Sequence, residues 1–138
     1  MRPPRTAIAV VLLFGATACA NGMTLTGPRS IPVVRVTERQ NKGTVALRRG
    51  QQLRVVLHST YWEFRKSSNP DVLRLDHGPR VHPVSGCVPG GGCGTVTVTY
   101  LAASVGAAVV TATRSSCGEA MGCTNATGRF TVHVIVRR

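Results

Sequence analysis

From Ile31 to the C-terminus, apolar and polar residues alternate with a period of two, and no long stretch keeps a helical period. Leu53, Val55 and Leu57 fall on one side of a strand, with Arg54, Val56 and His58 on the other. Val96, Val98 and Tyr100 oppose Thr95, Thr97 and Thr99, and Phe130, Val132, Val134 and Val136 oppose Thr131, His133, Ile135 and Arg137. These runs are rich in β-branched residues, which suit a pleated, half-buried surface. Further strands are expected at Pro32–Thr37, Gly43–Leu47, Val72–Leu75 and Gly106–Thr113. Turn-forming clusters such as Asn41-Lys42-Gly43, Ser67-Ser68-Asn69-Pro70 and Asn125-Ala126-Thr127-Gly128 separate them. Seven or more short strands over residues 31–138 predict an all-β domain, an immunoglobulin-like antiparallel β-sandwich. A closed barrel is the alternative. Trp62, the single tryptophan, sits between Tyr61 and Phe64 after a strand and is expected to anchor the core.

The first residues break this pattern. Arg2 and Arg5 precede an apolar run, Ala7 to Phe14, which is shorter than the roughly 20 residues needed to span a bilayer. The small residues Gly15-Ala16-Thr17-Ala18-Cys19-Ala20 follow, completing the layout of an export signal over residues 1–18. Ala16-Thr17-Ala18 before Cys19 is similar to a bacterial lipobox, so Cys19 is expected to be acylated. Residues 19–30, polar and bearing Gly and Pro, would then tether the domain to the outer face of the bacterial cell membrane. Ala18-Cys19-Ala20 also fits an ordinary signal-peptidase site, whose use would release the protein in soluble form from Asn21.

Cys87, Cys93, Cys117 and Cys123 remain, each pair enclosing five residues: Val88-Pro89-Gly90-Gly91-Gly92 and Gly118-Glu119-Ala120-Met121-Gly122. In an oxidising compartment an even set of four implies two disulfides. Sequence alone leaves three connectivities open. Short, glycine-bearing intervals favour the local pairs Cys87–Cys93 and Cys117–Cys123. A four-cysteine zinc site is the competing arrangement, but its usual spacing is C-x₂₋₄-C.

The 138 residues hold 17 Lys+Arg against 5 Asp+Glu, a formal charge of +12, with 43% apolar and 16% charged residues. So few acids leave little material for paired carboxylates or an oxygen-ligand metal cage. No G-x-S-x-G elbow is present, and no cofactor motif. Asp76, His77 and His82 are a poor metal set. A non-catalytic protein is expected, without metal or cofactor and acting as a monomer. The basic residues Arg48, Arg54, Arg74, Arg129 and Arg137 are strung singly along strands rather than gathered in a run. With no RNA-binding aromatic signature, nucleic acid is not the expected partner. Anionic wall polymers or lipid headgroups are, and a structural or adhesive envelope module is one functional reading.

The order of features resembles chagasin, the immunoglobulin-like family of inhibitors of papain-like cysteine peptidases. The strand Gly50-Gln51-Gln52-Leu53-Arg54-Val55-Val56-Leu57 runs into His58-Ser59-Thr60-Tyr61-Trp62, the glycine-rich segment Pro89-Gly90-Gly91-Gly92-Cys93-Gly94 follows, and a last loop opens Arg114-Ser115-Ser116-Cys117. The match covers about Val34 to Val136. The Asn-Pro-x-x-Gly lead of the family's first loop and the Pro-Trp after its last-loop arginine are missing here. The resemblance implies that intervals 58–62, 86–94 and 114–127 emerge at one end of the sandwich. It also implies that Thr60, Tyr61, Gly90, Gly91, Gly92 and Arg114 touch a papain-like cysteine peptidase.

Overall fold

The structure, a computed structural model, describes residues 30–118 and 121–138. The export signal, Cys19 and nearly all of the tether lie outside the described residues. Among the described residues eight strands form: β1 (Val33–Val36), β2 (Thr44–Arg48), β3 (Gln52–His58), β4 (Glu63–Phe64), β5 (Leu73–Pro83), β6 (Gly94–Ala102), β7 (Gly106–Thr113) and β8 (Arg129–Arg137). They make two four-stranded sheets, in the orders β1-β3-β6-β5 and β2-β8-β7-β4.

Alternation decides which side of each strand is dry. Leu53, Val55 and Leu57 of β3 and Val96, Val98 and Tyr100 of β6 are buried against Phe130, Val132, Val134 and Val136 of β8 and Ala108, Val110 and Ala112 of β7. Each large apolar side chain so removed from water contributes about 1.5–3 kcal/mol. Trp62 joins this core at 5% exposure, and its indole Nε1 donates to the His58 carbonyl at 3.0 Å. The expected anchor is thus satisfied at its polar end as well as its apolar one.

Each sheet has one parallel pair, β1 with β3 and β2 with β8, while the remaining pairs are antiparallel. The reason is a crossover. After β1 the chain makes a single 3-10 turn at Glu38–Gln40 and enters the other sheet as β2. Thr37 caps that turn, with its hydroxyl accepting from the Arg39 amide while the Gln40 side chain accepts from the Thr37 amide at 2.8 Å.

Two strands differ from expectation. β5 runs on to Pro83 rather than ending at Leu75, with register shifts after Leu75 and His77 and a cis Gly78–Pro79 bond. It is an edge strand buried at Leu73 alone, so it has no period of two to detect. β4 is two residues long, pairing Glu63 with Thr113 and Phe64 with Ala112, too brief for any pattern.

Candidate functional site

The register brings three loops to one pole. His58 at the end of β3 lies beside Thr95 at the start of β6, and Pro83 at the end of β5 pairs with Gly94. In the other sheet Glu63 pairs with Thr113, which pairs with Arg129. Residues 59–62, 84–93 and 114–128 therefore leave the sandwich at the same end.

The first loop is bound to the second by backbone hydrogen bonds: the Ser59 amide donates to the Gly94 carbonyl and the Thr60 amide to the Gly92 carbonyl, both at 2.9 Å. The half-buried Tyr61 ring covers Gly92, where φ is 61° and a β-carbon would overlap that ring. Only glycine fits there, for both reasons. The first loop meets the third through Arg114, whose guanidinium lies 4.6 Å from the centroid of the Trp62 ring. Arg114 Nε also donates to the Thr127 carbonyl at 3.1 Å. The second and third loops approach at Gly118, where a β-carbon would stand 3.8 Å from the Gly91 carbonyl oxygen.

Both disulfides take the local pairing, Cys87–Cys93 with Cα atoms 5.7 Å apart and Cys117–Cys123 with 5.1 Å. Closing such small loops contributes about 2 kcal/mol each in the chain-entropy model. Inside the third loop Ser116 bridges Gly122, the Cys117 amide donates to the Met121 carbonyl at 2.9 Å, and the Cys123 amide to the Ser115 carbonyl at 3.0 Å. Below them the Thr127 hydroxyl accepts from the Thr124 amide at 3.0 Å. The described residues of this loop are thus braced on both sides.

The residues singled out from sequence are brought together, but in unequal postures. Thr60, Tyr61, Gly91, Gly92 and Arg114 are half-buried and hold the loops to one another, whereas Gly90 is exposed at the tip. Gly91 packs so tightly that a β-carbon would come within 2.8 Å of Cys87 Sγ. The apolar side chains that do face outward here are Val84, Val88 and Met121, 61%, 55% and 65% exposed. Sequence reasoning passed over them. For Val88 and Met121 the available signal was an apolar residue inside a short cysteine-bounded loop, too tightly tied to reach the core.

No protein-family model and no curated protein matches this chain. Among solved structures, the cysteine protease inhibitor EhICP2 from Entamoeba histolytica is similar with a TM-score of 0.53 and 14% identity, covering 80% of this chain and 100% of that one. Amebosin is similar with a TM-score of 0.50 and 16% identity, covering 78% of this chain and 100% of that one. What these likenesses establish is the scaffold: this chain folds as EhICP2 and amebosin do.

Proposed function

We propose that this is an exported, membrane-anchored binding protein that inhibits a papain-like cysteine peptidase by wedging its three-loop pole into the substrate cleft. The convergence of the three loops, with two of them closed by disulfides, is the observation that carries the reading. A cleft-blocking wedge needs a narrow, stiff, partly apolar tip. Pre-ordering saves about 0.5–1.5 kcal/mol for each side chain that need not be immobilised on docking. Val88, Met121 and the exposed Gly90 backbone supply the contact, while Thr60, Tyr61, Gly92 and Arg114 keep it in shape. Inhibition in this scheme is occlusion, with no covalent step. The fold shared with a cysteine protease inhibitor supports the same reading. Anchoring is supported by the sequence around Cys19.

The test is titration of the disulfide-intact protein against several activated papain-type peptidases from which reductant has been removed. Competitive inhibition at micromolar concentration or below is expected. Val88→Asp with Met121→Asp should weaken it about tenfold, or 1.4 kcal/mol, without lowering thermal stability. Absence of inhibition against every enzyme tried would leave the scaffold without this activity. Palmitate labelling of the wild type, lost in Cys19→Ser, tests the anchor.

A further inference from the structure

We infer that the outer face of the β1-β3-β6-β5 sheet is a second binding site, separate from the loop pole, for a linear anionic polysaccharide. Strand register builds it. Arg35 of β1 stands opposite Arg54 of β3, Arg54 opposite Thr99 of β6, and Thr99 opposite His77 of β5. The next outward rung runs Val56, Thr97, Arg80, and the one after it His58, Thr95, His82. All of these residues but His58 line an open groove of about 600 Å³. At the ordinary strand spacing its width is about 14 Å.

Three features select the ligand. First, the charge is mainly positive and the arginines are unspent. Among the described residues none of Arg35, Arg54 and Arg80 forms an ion pair, while nearby Asp76 is engaged by Gln52 at 2.7 Å and His77 at 2.9 Å, and Glu38 by His58. Arg35 and Arg54 directly across from one another repel, an arrangement that an external anion would relieve. Secondly, the cations are arginines, whose planar fork matches carboxylate, sulfate and phosphate oxygens in pairs. Thirdly, the half-buried Thr95 and Thr97 place hydroxyls beside the cations, whereas Thr99 is itself buried. That alternation suits a chain bearing alcohols between its acid groups. The groove has no Phe, Tyr or Trp ring on which a base could stack, and Val56, its one aliphatic side chain, is 6% exposed, leaving nothing to enter a bilayer. The other sheet offers a contrast: Arg48 faces Arg137 there, but Ala46 and Ile135 occupy the next rung.

The experiment measures binding of the full chain to a size-defined heparin fragment and to a polyuronate of equal length, which separate sulfate from carboxylate as the preferred acid group. Anionic phospholipid vesicles and a single-stranded oligonucleotide serve as rival polyanions. Two variants remove the same charge: Arg35→Gln/Arg54→Gln/Arg80→Gln on the groove and Arg48→Gln/Arg129→Gln/Arg137→Gln on the other sheet. Expected is salt-sensitive binding of at least one glycan, weakened about tenfold or more by the groove variant and less than about twofold by the other, at equal thermal stability. Peptidase inhibition should be the same in both. Equal loss in the two variants, tighter binding of vesicles or oligonucleotide, or no binding of either glycan would overturn the site and leave the loop-pole reading untouched. If the groove variant alone is unstable, Arg54→Gln by itself must still weaken binding more than Arg137→Gln, or the site is refuted.

Discussion

The loop pole and the basic sheet face are built by different means. At the pole, the chain has no ladder to follow, and shape comes from cross-links, a cation resting on an indole ring and glycines that admit close approach. On the sheet face, side chains from four strands are placed by hydrogen-bond register, and no ion pair holds Arg35, Arg54 or Arg80 among the described residues. A surface of the first kind can be disabled by a single loop change that leaves the sheets intact. A surface of the second kind withstands loop changes and responds to loss of charge.

The largest expected effect is one that breaks both regions. Trp62→Ala should cost about 3–5 kcal/mol in urea unfolding, because it empties a core site and takes away the platform beneath Arg114. Both inhibition and glycan binding should fall with the folded fraction. Next is a pH effect in the sheet that carries the basic face. Burial pushes the Tyr100 phenol up from 10.0 to about 12. Below pH 10 it is neutral in both states and has no effect. As pH rises from 10 through 12 the unfolded chain gives up the proton first, so stability should fall by roughly 2–3 kcal/mol. Tyr100→Phe should flatten that part of the stability profile, and an unchanged profile would exclude Tyr100 as its source.

A smaller change separates the two regions. Cys87→Ala/Cys93→Ala should lower stability by about 2 kcal/mol and weaken inhibition, while glycan affinity stays at the wild-type value. Loss of both activities to the same degree would show the regions to be coupled. Smallest is Arg114→Ala, expected to cost about 0.5–1 kcal/mol of stability from the exchange of a cation–π contact and a loop hydrogen bond. Its inhibition constant should rise by more than that loss of stability accounts for, since the third loop is freed from the first.

Much of the scaffold is legible in the sequence. Where one face of a strand is buried and the other wet, the period of two is written into the residue types, as in β3, β6 and β8. Where both faces are wet, as along most of β5, nothing constrains the residue types and the strand goes unseen. The same reasoning explains the site. Trp62 and the two cysteine pairs announce themselves through rarity and short spacing. Val88 and Met121 do not, because an apolar residue is read as core until its tether is known to keep it out.

The basic residues mark the limit most clearly. Along the chain, Arg35, Arg54 and Arg80 stand far apart and form no run. A sheet adds nearest neighbours at right angles to the chain, and which residues become neighbours depends on strand order and register. The chain by itself determined the strands, the wet and dry sides of most of them and the buried indole, and it favoured the local disulfides, because each follows from residues close in sequence. Tertiary structure alone decided the parallel edge pairs, the contacts that tie the three loops together at the pole where they were expected, and the lateral gathering of arginines. Each of these joins residues that the linear order keeps apart.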